Sequence, residues 1–258
     1  MNIFEDIGYL ITNYYQFFLY GLLSTIILSV FGTVVGLFLG IFIALGKRLT
    51  LKKTDKWYNK IWKGFVLGIA NIYSTVIRGT PMMVQAMVFK YGCQALGVNW
   101  NTILPGAPVL NGWLVAGLIV ITFNTAAYMG EIVKSGINGV DNGQFEGARS
   151  LGLTSRQTMS RVVLPQAIRN AIPTIGNEWI VNIKDSSVLN VIGVTELYLQ
   201  AKEVANKGYR FIAAYIIIAI LYLILTLCTT GILKLVEYKL DGKKFKFSLF
   251  HYRNKEAK

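Results

Sequence analysis

From Phe17 to Gly46 the chain runs for about thirty residues without a charged side chain. Roughly twenty apolar residues are enough for a helix to cross the hydrocarbon core of a bilayer. That run is therefore a membrane helix, tilted or extended into the interface. Gly64–Lys90, Gly112–Val133 and Phe211–Leu235 have the same character, and 53% of the 258 residues are hydrophobic. With a positive mean hydropathy as well, the chain is too apolar for a soluble domain of its length. Its fold class is all-α, a polytopic membrane helical bundle.

The formal net charge of +13 would suggest nucleic acid in a soluble protein. Here the cations lie between and after the apolar runs, a pattern that reports membrane orientation and implies no nucleic-acid partner. The basic stretch Lys47–Lys63 marks the inside, so the N-terminus is expected outside. Tyr91–Asn111 carries no charge and suits an external loop, and the next helix returns to an inside segment holding Lys134, Arg149, Arg156, Arg161 and Arg169. A fourth span, Ala167–Val191, is interrupted by Glu178, Lys184 and Asp185. It is required all the same, because Phe211–Leu235 must leave the basic tail inside. About five transmembrane helices satisfy every loop, with Thr195–Arg210 as an interfacial helix outside.

One domain is expected: an external segment 1–16, the transmembrane unit 17–238 and a basic cytoplasmic tail 239–258. The tail interleaves lysines with Phe245, Phe247, Phe250 and Tyr252, which suits anionic membrane lipid or a solvated terminus. Met1–Thr12 holds Glu5 and Asp6 and no basic residue, unlike the head of a secretory signal, so the first span is expected to be retained. Gly32, Gly36 and Gly40 put one bare stripe on that span, a seam for a close neighbour. Cys93 and Cys228 are far apart and the sole histidine, His251, lies in the tail, so neither a metal site nor nucleophile–base catalysis is indicated. No catalytic residue is assigned.

Between the apolar runs lies a polar stretch, Asp141–Pro165. Asp141 with Gln144, and Thr154 with Gln157, are helix-start signals. Gly152 stands where a first short helix must stop, in the left-handed conformation that a residue without Cβ adopts cheaply. Pro165 is expected to close the second. Phe145, Ala148 and Leu151 recur at helical spacing on the first, and Met159, Val162 and Val163 on the second. So small a pair cannot bury its own core and reads as a docking surface. Glu146-Gly147-Ala148, then Gly152, then Leu164-Pro165, resembles the EAA loop of the membrane-spanning subunits of ATP-binding-cassette importers. The departures are Gly147 for the usual alanine and Val162 for isoleucine. In that family the loop fits a cleft on a cytoplasmic ATPase, which assigns Glu146, Gly147, Ala148, Gly152, Leu164 and Pro165 to coupling.

Ionisable groups inside a membrane face a partner or a watery cavity. Thr174, Glu178, Asn182 and Asp185 follow helical spacing on the fourth span; so do Asn124, Tyr128, Glu131 and Ser135 on the third, and Ser74, Arg78 and Gln85 on the second. Counting helical rise from the inside ends brings Arg78, Asn124 and Glu178 to one depth. Either they form a path for a small zwitterion, with Arg78 and the backbone freed by Pro81 for a carboxylate and Glu178 or Asp185 for an ammonium, or Arg78 pairs with Glu178 or Asp185 simply to make the bundle tolerable to lipid. Glu131 with Lys134 reads as an interfacial pair.

Arg78-Gly79-Thr80-Pro81 through Gln85, Ala126-Ala127-Tyr128 with Glu131, and Gly176-Asn177-Glu178 through Asp185-Ser186-Ser187 extend the resemblance to the polar amino-acid branch of these importer permeases, over most of Gly21–Leu235. The resemblance implies a type I importer fold, a second permease subunit, identical or not, cytoplasmic ATP-binding subunits carrying ATP and Mg, and an extracellular substrate-binding protein. It also implies a bacterial cytoplasmic membrane and a substrate path through Arg78, Thr80, Gln85, Asn124, Tyr128, Glu178, Asn182, Asp185 and Ser186. This chain would bind no cofactor and would not be an enzyme. The alternative is a stand-alone ion-coupled carrier or channel.

Overall fold

The computed structural model describes residues 2–51, 54–104, 106 and 109–241, and among them no strand occurs. The side chain of Asn2 accepts from the backbone of Phe4 and starts α1, Ile3–Lys47. This helix begins well before Phe17: residues 3–16, expected as a separate external segment, continue it through a kink at Tyr14 (φ −131°, ψ 16°). The extension is held by burial, because Leu10 and Phe18 pack into one cluster with residues of two later helices. Arg210 Nε also donates to Asp6 Oδ1 at 2.6 Å.

The single helix expected over Gly64–Lys90 is two: α2, Trp57–Gly79, and α3, Met82–Ala95. Thr80 (φ −124°, ψ 146°) and Pro81 (φ −64°, ψ 136°) are extended between them. The proline ring disfavours helical backbone at the residue before it, which places the break there. Then comes α4, Gly112–Asn138, capped by Asn111, whose side chain accepts from Leu114 N. It is the central element and packs against α1, α2, α3 and α7 (α7 is Leu164–Asp185). The α1 glycines are its seam: a Cβ on Gly32, Gly36 or Gly40 would lie 3.0, 2.8 or 2.5 Å from side-chain atoms of Ile121, Thr125 or Met129.

Two short helices follow α4, namely α5, Asn142–Ser150, and α6, Ser155–Gln157. From α6 the chain stays helical through a π-turn at Thr158–Val163 into α7. Pro165 therefore opens α7 and does not close the hairpin. The wide turn has already shifted the hydrogen-bond ladder there, so the missing N–H costs little. A 3₁₀ stretch, Ser186–Ile192, ends at Gly193. Next come α8, Leu197–Gly208, and α9, Phe211–Asp241.

The expected interfacial helix is α8, but it is not a surface ribbon: Leu197, Ala201, Val204 and Ala205 are fully buried against α1 and α9. Its N-terminus is capped by Glu196, itself fully buried, whose carboxyl accepts from Tyr198 N, Leu199 N and Tyr222 Oη at 2.8 to 2.9 Å. Burial pushes that carboxyl up to about 7 in spite of the three donors.

By length and apolarity α1, α4 and α9 suffice to cross a membrane. With 23 and 22 residues, α2 and α7 rise about 33 Å each, long enough to cross as well. Charges in α7 hide it from hydropathy. The basic tail from Gly242 onward, including His251 and the interleaved aromatics, lies outside the described residues.

Candidate docking hairpin and polar path

The hairpin sits where α1, α4 and α7 end together, over a cluster of Ala44, Val133, Ile137, Val140, Val163 and Ala167. Asp141 caps α5 through a 2.6 Å bond from Gly143 N, while Gln144 accepts from Gln166 Nε2 at 3.1 Å and ties α5 to α7. Gly152 has φ +78° and closes α5, with Gly152 N bonding Arg149 O at 2.9 Å and Leu153 N bonding Ala148 O at 3.1 Å. Thr154 and Gln157 form the reciprocal capping box that their spacing predicts.

Of the coupling residues, Glu146, Gly147, Gly152 and Pro165 are exposed, Leu164 is half-buried and Ala148 is buried. Phe145 and Met159 pack against the chain's own cluster. Leu151, expected on the same covered side, is instead 84% exposed at the tip. It lies at the C-cap, where the helix yields to the glycine turn and its side chain is thrown outward. The hairpin thus covers its own apolar side and offers a rigid, mostly polar turn with one leucine standing out.

Above it, the polar residues divide into three groups. The first joins α2 and α4 around the break: Gln85 Nε2 donates to Ile77 O (2.7 Å), Thr80 O (2.9 Å) and Thr80 Oγ1 (2.9 Å). Gln85 Oε1 accepts from the buried Asn124 at 3.0 Å. Gln85 and Thr80 therefore replace the hydrogen bonds that Pro81 interrupts. In the second, Arg78 lies over the Tyr128 ring, 5.6 Å from its centroid, with Nη1 3.7 Å from Glu131 Oε1. Lys47, at the end of α1, donates to the same Glu131 oxygen. Glu131 is paired with Lys47 and Arg78 and not with Lys134, and Arg78 is paired with Glu131 and not, as expected, with Glu178 or Asp185.

The third group belongs to α7. Asn182 Oδ1 accepts from Thr125 at 3.0 Å and its Nδ2 donates to Thr33 at 2.9 Å, all within the α1–α4–α7 contact. Asn182 is 3% exposed and Ser186 is fully buried, its hydroxyl donating to Ile183 O. These two, expected on the path, are used in packing. A four-residue step overshoots the helical repeat by about 40°, so Asn182 is turned from Thr174 towards α4. Glu178 and Asp185 are half-buried, and among the described residues neither has an ion pair.

Between α4 and α7, next to the hairpin, lies a cavity of about 550 Å³ lined by Glu131, Ser135, Gly136, Asn170 and Thr174 among others. Arg78, Thr80, Thr174, Asn177 and Lys184 are exposed on the same single chain. Polar side chains at membrane depth need protein or water against them. Thr33 and Lys47 were not read as partners of these groups from the sequence. A stripe on α1, Ser29 and Thr33 beside the glycines, was the available signal for Thr33.

Among the described residues no cluster of metal-ligating side chains occurs. A model of the family of binding-protein-dependent transport system inner membrane components matches residues 36–242. The arginine transport system permease protein ArtQ of Bacillus subtilis (strain 168) is 34% identical over 227 residues, covering 88% of this chain and 93% of that one. A putative glutamine transport system permease protein GlnP of Rickettsia bellii (strain RML369-C) is 31% identical over 225 residues, 87% and 93% of the two chains. Among solved structures, the crystal structure of an amino acid ABC transporter with histidines aligns with TM-score 0.74 at 34% identity, covering 93% of this chain and 99% of that one.

Proposed function

This chain belongs to the binding-protein-dependent transport system inner membrane components, and we propose that, as the permease subunit of an ATP-driven importer, it passes a polar amino acid across a bacterial cytoplasmic membrane by alternating access. Cytoplasmic ATPase subunits carrying ATP and Mg grip the hairpin at Glu146–Gly152, with Leu151 as the apolar knob. The hairpin end faces the cytoplasm. A second permease subunit, identical or not, covers the exposed polar surface, and an external binding protein delivers the substrate.

One observation carries the mechanism. From Ser155 to Asp185 the backbone is helical without interruption, so displacement of the hairpin by ATP-driven closure of its partner moves α7 directly. The two states must differ in how they bind the ATPase for this to work. A stand-alone carrier or channel has no use for such a lever.

Replacing Gly152 by Trp tests it. No atom lies within 4 Å of a Cβ at Gly152, so the subunit has room for the side chain and bears only a left-handed backbone strain of about 1–2 kcal/mol. It should still insert. Uptake by the assembled transporter should fall by on the order of tenfold or more while ATP hydrolysis continues uncoupled, because the indole occupies the partner's cleft. Undiminished uptake would refute the coupling role.

For the substrate, the unpaired acids are the guide. Glu131 already engages Arg78 and Lys47, and among the described residues neither Glu178 nor Asp185 has an ion pair. That arrangement supports a cationic amino acid, its positive group against α7. Competition uptake with labelled arginine should show arginine, lysine or histidine displacing label far better than glutamine or glutamate; a preference for glutamate would overturn it.

A further inference from the structure

Beside the docking hairpin is a recess of about 640 Å³. Four cations from four parts of the chain line it: Arg48 after α1, Lys63 on α2, Arg149 on α5 and Arg156 on α6; among the described residues no acidic one lines it. Lys63 is paired with Asp55 at 2.6 Å. Arg48, Arg149 and Arg156 have no carboxylate partner among the described residues. Arg48 is held over the Phe145 ring, 5.1 Å from its centroid, yet its Nη1 is buried without a hydrogen bond. The buried hydroxyl of Thr158, another lining residue, is also without a partner. Buried donors left unmade cost free energy, and both belong to residues that line this cation-rich recess.

A second space lies beside the recess. Leu45 and Lys63 line the first; their neighbours Gly46 and Val66 line an almost wholly apolar groove of about 370 Å³ between α1, α2 and α4, floored by Tyr73 and Phe123. On α2, Lys63 and Val66 are one turn apart and share a face. The start of α2 bears Trp57, Tyr58 and Trp62, which are 74%, 50% and 64% exposed. Such an aromatic girdle marks headgroup depth.

We infer that the recess and groove together hold an anionic phospholipid of the leaflet on the hairpin side, its phosphate against Arg48, Arg149, Arg156 and Thr158 and an acyl chain along the groove. Charge complementarity selects the phosphate, and an apolar groove lying beside the recess selects a lipid over a free anion. Because α5, α6 and the π-turn after them supply three of the four contacts, the lipid would tie the moving hairpin to the membrane plane.

The test uses the delipidated full chain in neutral detergent, with retained lipid counted by native mass spectrometry. Phosphatidylglycerol should bind at least tenfold more tightly than phosphatidylcholine, and millimolar inorganic phosphate should not displace it. Arg48→Ala with Arg156→Ala should weaken phosphatidylglycerol by about thirtyfold. Ile69→Trp, which fills the groove at an exposed position without touching a cation, should weaken it too. Equal binding of the two lipids by the unaltered chain would overturn the proposal, and that comparison needs no variant to fold. Displacement by phosphate alone would reassign the recess to a free anion, and full binding in Ile69→Trp would remove the acyl groove; either refutes the lipid.

Discussion

Glu131→Ala should lower the thermal midpoint of the solubilised chain sharply, with a loss of about 3 kcal/mol. The carboxylate is the single acid holding both Lys47 and Arg78. Its two partners differ in what they lose. The Lys47 side chain is only 5% exposed, so without Glu131 a buried ammonium is left uncompensated, the situation that costs about 3–5 kcal/mol when one member of a buried pair is removed. Arg78 is 44% exposed and retains the Tyr128 ring, so solvent screens most of its share. Lys47→Met in the Glu131→Ala background should therefore recover most of the stability, since replacing both members by apolar groups is often neutral. Arg78→Met in that background should recover little. The check is the unfolding midpoint of the four proteins by size-exclusion after heating. If Glu131→Ala matches the unaltered chain, the triad is not a tie between α1, α2 and α4.

That triad also shows where the sequence stopped being informative. Helical phase tells which residues share a face, and it correctly set Arg78 and Tyr128 among polar stripes that meet. It does not tell which helix a face will meet. Lys47 and Glu131 are separated by 84 positions, and their pairing follows only from the α1–α4 seam. Phase also decays along a helix, which is why Asn182 turned into the packing and Glu178 did not. Local chemistry was more legible than tertiary pairing: the Thr154–Gln157 box and the left-handed Gly152 depend on a few adjacent residues. Pro165 was misplaced because a proline reads as a helix end unless the turn before it widens, and no residue in Thr158–Val163 announces a π-turn. Leu151 was assigned to the covered side by a periodicity that ends one residue earlier.

The seam itself was legible as three glycines in register, and it makes the second large prediction. Gly40→Leu should prevent the bundle from closing. A Cβ there lies 2.5 Å from Met129 Cβ and 2.9 Å from both Gly130 N and Met129 C. Two of those three atoms are backbone of α4, so no rotamer change relieves the contact, and α1 must move away along its length. Overpacking ordinarily costs about 1–3 kcal/mol when side chains yield. Against backbone the cost should reach or exceed the upper figure, a large part of the roughly 5–15 kcal/mol that holds a folded protein together. The displacement also pulls Thr33 from Asn182 and Lys47 from Glu131, since Thr33 and Lys47 both lie on α1. Gly68→Leu provides the comparison: it is on α2 with nothing within 4 Å of its Cβ, and it should leave the midpoint unchanged or slightly raised. Monodispersity and thermal midpoint of the two variants decide it. A Gly40→Leu chain as stable as Gly68→Leu would mean that α1 and α4 do not approach at the glycines, and the alignment of both polar groups on α4 and α7 would lose its basis.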